Sequence, residues 1–394
     1  MFWFNEAVSN YTALLSGKSW LAPDGDSIAP KPVFITYSFQ SRMTDADKDA
    51  TAGSSSHWRP FSKHDKADAR SALAQWGAAC GIKFLEAKGN HGDIQFSWCS
   101  QEDTSGFGFF PEPDEVEDQW DYVSSYSDRS GNIYLNVDEH DRFGRDPAFK
   151  KYALLHEIGH ALGLKHPFDT SIYNGRTLKE KYDNVDHTVM AYKADSEISP
   201  TKLKTFDIQA IRKLYGSSGS DGKQVAKWSW NAKTEILTQQ GKTINDVLWG
   251  TKVTDKLYGN SGNDRLHGMA GDDLLAGGLG SDILIGGPGR DVFRFDVGPS
   301  DHSVDTILDF EAVDRIELSA SAFAGIGSAG VLEAGKFALG PITKDTSKDV
   351  RIVLDSHALL YDADGGGPAA AAVIATITFA GVDSIINASH FFVI

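Results

Sequence analysis

Apolar positions follow two regimes along this chain. Up to about residue 216 they switch between the spacing of strands and that of helices, and beyond residue 240 they recur every nine residues. VFITYSF (33–39), a β-branched and aromatic run, predicts a strand, as do IKFLEA (82–87) and DIQFSW (93–98). GNIYLNV (131–137) alternates apolar with polar and predicts a fourth. Ser62 with Asp65 three residues on has the form of a helix cap, after which Ala69, Leu73, Trp76 and Cys80 recur at helical spacing up to Gly81. Asp146-Pro147 announces a second helix that stops at Gly163. KTFDIQAIRKLYG (204–216) sets Ile208, Ile211 and Tyr215 on one face and ends at a glycine. Strands and helices mixed in this way predict an α+β domain, a mixed sheet with packed helices, over residues 1–220.

GSSGSDGKQ (216–224) is Gly/Ser-rich and reads as a linker. Nonapeptides then run from Gly241 to Arg294, each with Gly first and Asp sixth; the last four also carry Gly fourth. Leucine fills the eighth position in five of the six. This is the pattern of a calcium-binding parallel β-roll, so residues 221–394 are expected to be all-β. Two nonapeptides make one coil, which pairs Asp264 with Asp282 and Asp273 with Asp291 around calcium. Asp246 and Asp255 are weaker candidates, since their units lack the second glycine. The tail after 294 (SVDTILDF, DRIELS, ALLYDAD, VIATITFAGV) is β-rich and is expected to cap the roll. Without calcium, crowded aspartates repel, so the roll should stay disordered until the cation arrives.

Charge narrows the partners. With 54 Asp+Glu against 38 Lys+Arg the net charge is −16, and no basic run offers a nucleic-acid surface. No apolar stretch is long enough for a membrane span, and the first twenty residues lack the pattern of a cleavable export signal. Two cysteines, Cys80 and Cys99, flank strands 82–87 and 93–98; parallel strands there would set them too far apart to bond.

The sharpest chemistry lies in LLHEIGHALGLKHP (154–167). His156 and His160 stand one helical turn apart and face the same way. Gly163 permits the left-handed turn that brings His166 back to them. Three imidazoles leave one zinc ion with an open fourth position, so zinc-bound water is the expected nucleophile and Glu157 its general base. The complete H-E-x-x-H-x-x-G-x-x-H is far more specific than H-E-x-x-H alone. Met190, in HTVMAY (187–192), fits the turn that underlies such a site, and Tyr192 follows it.

The zinc motif, TVMAY, DIQAIRKLYG, the repeats, LLSGKSW (14–20) with ITYSF (35–39), and YDADGGG (361–367) fall in the order of the serralysin family, secreted bacterial zinc endopeptidases of the metzincin clan, which this chain resembles over nearly its whole length. The resemblance implies broad, calcium-dependent cleavage of proteins or peptides. It implies that Tyr192 ligates the resting zinc and then stabilises the tetrahedral intermediate. It makes residues 131–137 the edge strand of the cleft, with Asn132, Ile133, Tyr134, Leu135 and Asn136 pairing to an extended substrate. It further implies a monomer, an extracellular location reached by type I (ABC) secretion through a C-terminal signal, and room for a proteinaceous inhibitor. The chain departs from the family at Phe168, where glycine is usual, in having cysteines, and at His390, where an acidic residue usually precedes the final apolar run. A calcium-folded adhesin or surface-binding protein is the alternative; it would have no use for Glu157.

Overall fold

The computed structural model describes residues 6–20, 33–50, 58–101, 104–113, 126–170, 174–193, 199–218, 225–299, 303–341, 349–365, 369–380 and 386–394. The chain divides into two compact units, Met1–Lys223 and Gln224–Ile394. Most of the predicted linker, 219–224, lies outside the described residues.

In the first unit the elements are β1 (Glu6–Val8), β2 (Val33–Phe39), α1 (Asp45–Ala50), α2 (Lys63–Ala79), β3 (Ile82–Glu86) and β4 (Ile94–Cys99). Then come β5 (Gly106–Gly108), β6 (Ile133–Asn136), α3 (His140–Arg145), α4 (Pro147–Ala161), β7 (Arg176–Leu178) and α5 (Thr205–Tyr215). The main sheet runs β3-β2-β4-β6-β5, parallel except for β5. All seven residues of β2 are buried, as its β-branched run requires of an inner strand.

Ser62 and Asp65 form the full capping box at the start of α2. Asp65 also accepts from Nε1 of Trp98 at 3.1 Å and from the ammonium of Lys150, tying this cap to α4. Asp146 caps α4 by accepting the Phe149 amide at 2.9 Å, with Pro147 at the first helical position. From Ala153 to Ala161 every residue of α4 is buried, so this helix lies in the core of its unit. It ends at Gly163, whose φ of +93° suits glycine and whose absent Cβ would stand 2.0 Å from the Lys18 carbonyl oxygen.

The second unit begins with β8 (Lys227–Asn231), β9 (Ile236–Gln240), β10 (Val247–Trp249), β11 (Asp255–Ser261), β12 (Arg265–His267), β13 (Leu274–Leu279), β14 (Ile283–Ile285) and β15 (Val292–Phe295). The tail adds β16 (Asp305–Phe310), β17 (Arg315–Leu318), β18 (Gly330–Val331), β19 (Phe337–Leu339), β20 (Ile352–Asp355), β21 (Ala358–Tyr361), β22 (Ala372–Phe379) and β23 (Phe391–Val393). Among the described residues these form two sheets, β10-β12-β14-β16-β22-β21-β20-β19 and β18-β23-β17-β15-β13-β11-β9-β8. Successive nonapeptides feed alternate sheets, so partners stand 18 residues apart, as Leu248, Leu266 and Leu284 do. Every eighth-position residue, Phe293 included, is fully buried between the sheets. Truncating one, as in Leu275→Ala, costs about 2–5 kcal/mol.

The tail does more than cap. β16 and β22 extend one sheet in parallel register, and β17 and β23 extend the other. Ile307 and Ile377 continue the leucine column, so the coil persists where the glycine signature has lapsed.

Candidate functional site

α4 and the turn after it bring the three predicted ligands together. The Nε2 atoms lie 3.2 Å apart for His156 and His160, 3.1 Å for His160 and His166, and 3.1 Å for His156 and His166. Three nitrogens around a tetrahedral zinc at 2.0–2.1 Å stand about 3.3 Å apart, so the triangle fits the ion. Nδ1 of His156 donates to the Val189 carbonyl at 2.7 Å and Nδ1 of His160 to the Leu164 carbonyl at 2.7 Å. Those bonds leave both Nε2 lone pairs aimed at a common point. Burial holds the imidazoles neutral: His156 is pushed down to about 3, His166 to about 4, and His160 well below its usual value. Among the described residues this is the one group of three or more His, Cys, Asp or Glu side chains that could hold an ion.

Glu157 is buried beside them, and burial raises its pKa to about 8 against the opposing bond from the Gly108 amide. Met190 is fully buried beneath the helix: a Cβ on Gly159 would meet its sulfur at 2.4 Å. Tyr192 is 61% exposed, which removes it from the core, and its hydroxyl lies 2.7 Å from Nε2 of His166.

The predicted substrate strand is corrected. β6, with Ile133, Tyr134, Leu135 and Asn136, is an inner strand, and Asn132 just before it is buried too. β5 covers it in antiparallel register, from Gly106 opposite Leu135 to Gly108 opposite Ile133, and forms the edge. The alternation of apolar and polar residues has another cause, for the asparagine amide groups donate inside. Asn136 donates to the Gln101 and Thr104 carbonyls and Asn132 to the Asp128 carbonyl. β5 passes directly by the site: Cβ atoms at Gly106 and Gly108 would stand 3.1 and 2.5 Å from Glu157 atoms.

In the second unit the sixth-position aspartates form two ladders. Each amide donates to the carboxylate one coil later: Asp246 to Asp264, Asp264 to Asp282, Asp255 to Asp273, and Asp273 to Asp291, at 2.7–2.9 Å. Asp246 and Asp255 start the two ladders: their amides donate to the next coil, while their carboxylates accept the Lys242 and Thr251 amides of their own. Oδ1 of Asp246 and Oδ2 of Asp264, Asp273, Asp282 and Asp291 are buried without a hydrogen-bond partner. A buried unpaired carboxylate oxygen is costly, and a hard cation satisfies it. The first-position glycines keep the approach open, since a Cβ at Gly259, Gly268, Gly277 or Gly286 would fall 2.1–2.4 Å from those oxygens. The residues fit calcium, with backbone carbonyls completing the shell.

Three carboxylates escaped the sequence reading. Asp305 accepts the Asp282 amide at 3.0 Å, Asp314 the Asp291 amide at 2.8 Å, and Asp309 the Gly286 and Gly287 amides at 2.9 and 2.7 Å. Asp305 and Asp314 continue the two ladders at an offset of 23 residues instead of 18. Cys80 and Cys99 are buried free thiols near strands on either side of β2.

Comparison with known proteins agrees with this arrangement. A family model described as Matrixin matches residues 55–216, and one for the RTX calcium-binding nonapeptide repeat matches 241–275 and 258–293. Serralysin G of Dickeya chrysanthemi is 26% identical over 218 residues, 50% of this chain and 42% of its own length. Serralysin A of the same organism is 28% identical over 227 residues, 55% of this chain and 45% of its own length. The matched part thus spans less than half of either relative. Among solved structures, a subunit of the mannuronan C5-epimerase of Azotobacter vinelandii is 30% identical, covering 38% of this chain and 79% of its own, with a TM-score of 0.26.

Fold and site define a Matrixin-type metallopeptidase domain followed by calcium-binding repeats. With both parts in that order and serralysins among its relatives, the chain is similar to the serralysin family.

Proposed function

We propose that the chain is a secreted, calcium-dependent zinc endopeptidase of broad specificity. The observation that carries this is the triangle of Nε2 atoms with the buried carboxylate of Glu157 beside it. His156, His160 and His166 would hold one zinc ion, which when bound supplies a Lewis acid and lowers the pKa of water to about 7. Glu157 takes the proton from the attacking water and passes it to the leaving amine. The Gly108 amide beside Glu157 fixes the orientation of that carboxylate. The Tyr192 hydroxyl is placed to donate to the oxyanion that forms on the substrate carbonyl.

β5 supports the choice of substrate. Its outer edge has no partner strand among the described residues, and it runs past Glu157. An extended peptide would pair with that edge through its backbone, which favours flexible protein segments over a particular sequence. The aspartate ladders would take several calcium ions, which supports folding outside the cell, where calcium is abundant. The likeness to serralysins supports export by a type I system reading the C-terminal segment.

Casein hydrolysis tests the reading. Activity should vanish in a zinc chelator and return with zinc. Glu157→Gln should keep zinc, yet fall by several orders of magnitude in rate, roughly 10³-fold or more. Comparable cleavage by Glu157→Gln would remove the assigned mechanism.

A further inference from the structure

The turn that carries His166 brings a further aromatic ring into the site. Phe168 lies flat on the His166 imidazole, their planes 6° apart and centroids 5.0 Å apart. The Tyr192 ring meets it at 5.4 Å. Even so, 45% of Phe168 is exposed. A parallel stack covers one face of a ring, so the open surface belongs to the other face.

Exposure alone would mean little, but this ring is held rigidly. The side chain of Lys165 is wholly buried, and its ammonium donates to the carbonyls of Asp169 at 2.5 Å and Arg176 at 2.8 Å. The Asp169 amide donates to the His166 carbonyl at 3.2 Å, and the Leu178 amide to the Pro167 carbonyl at 2.7 Å. The backbone is therefore anchored on both sides of Phe168. A preorganised aromatic with one free face loses little entropy when a second ring covers it.

Its position is equally specific. His160 faces β5, since a Cβ at Gly108 would stand 3.3 Å from the His160 Cβ. Phe168 packs with His166 and Tyr192, rings that adjoin the same three-histidine site. A peptide extended along β5 turns successive side chains to opposite faces. One residue next to the scissile bond can thus offer its side chain to Phe168.

We propose that the free face of Phe168 is a specificity subsite for an aromatic side chain adjoining the scissile bond. An aromatic partner gains offset stacking that an aliphatic side chain of similar area lacks. This rests on the peptidase reading above.

The test uses the full chain loaded with zinc and calcium and a set of peptides that differ only in Phe, Tyr, Leu or Ala at each position flanking the bond. At one position kcat/KM should favour Phe and Tyr over Ala by about tenfold. Phe168→Ala should shrink that preference to about twofold or less, and Phe168→Tyr should retain it, with the alanine peptides cleaved alike by all three proteins. Fluorescence anisotropy of the same peptides on zinc-loaded Glu157→Gln, with and without Phe168→Ala, should give the same ratio in Kd. Because that readout needs no turnover, aromatic preference in binding without cleavage by the native chain would keep the subsite and remove the peptidase reading. The subsite is overturned if the preference survives Phe168→Ala. It is also overturned if Phe168→Ala weakens all peptides equally, which would assign the ring to holding His166.

Discussion

The backbone N–H of Val189 donates to the carboxylate of Asp207 at 3.0 Å. The same residue's carbonyl lies 2.7 Å from Nδ1 of His156, so one residue links α5 to a proposed zinc ligand. Asp207 is fully buried and also accepts the Thr188 hydroxyl at 2.5 Å and the Lys204 amide at 2.8 Å. It fixes the turn carrying Met190 from below.

Asp207→Asn should therefore loosen zinc without touching a ligand. An amide of the same shape cannot accept on both of its terminal atoms, so the Val189 peptide loses its hold and His156 its orientation. Zinc affinity should fall about 10–100-fold, measured by competition with a chelator. Unchanged affinity would show that packing alone orients the turn.

Tyr192→Phe should act on turnover. The hydroxyl is exposed, 2.7 Å from His166 Nε2, and on the proposed mechanism it donates to an oxyanion that the ground state lacks. We expect kcat to drop about a hundredfold while KM moves much less. A loss confined to KM would make Tyr192 a substrate contact instead.

Protons and calcium should compete for the roll. Burial raises the pKa of Asp282 and Asp309 to about 6, of Asp314 to about 7, and of Asp291 and Asp305 to about 8, well above the usual carboxylate range. Folded carboxyls that hold protons more tightly than unfolded ones stabilise the fold at low pH. That contribution is complete below about pH 4 and is lost as pH rises to about 8. In chelator, circular dichroism of the full chain should accordingly show more β structure at pH 5 than at pH 8. Calcium needs the deprotonated form, so its midpoint concentration should fall across the same window. Equal β content in chelator at both pH values would contradict the linkage.

Thiol counting offers a check on the sheet. Cys80 and Cys99 are buried, and burial pushes their pKa values up to about 12 and about 11. Neither should react in the native chain, and two should titrate after denaturation without reductant. Zero titratable thiols in a monomer would mean that β3 and β4 do not flank β2 as described.

Local rules made the zinc motif readable: one helical turn separates His156 from His160, and only a glycine easily permits the turn at 163. The capping residues of α2 and α4 were readable for the same reason. Sheet order was not, because nothing in a strand's own residues names its neighbour. β5 is a Gly-Phe-Gly segment with no β pattern, so the strand beside Glu157 went unseen and β6 was taken for the edge. The edge role of 131–137 rested on the resemblance alone, and nothing in the sequence tells that the Asn132 and Asn136 amide groups donate to buried carbonyls. Asp305, Asp309 and Asp314 were hidden by five inserted residues that break the nine-residue count while leaving the ladder intact.

The aspartate ladders have a direction. In both ladders the carboxylate of the later coil accepts the amide of the earlier one, from Asp314 back to Asp255 and from Asp305 back to Asp246. A coil already formed presents ladder carboxylates to the coil before it, and to the coil after it mainly backbone carbonyls, as Asp246 does to the Arg265 amide. Contacts reach just one repeat away, so order can spread by templating, coil upon coil, without the distant ends meeting. Nucleation at the C-terminal coils would then zip the array toward its N-terminal end. A fault at Asp273 would stall the zipper there and leave the coils behind it correctly built.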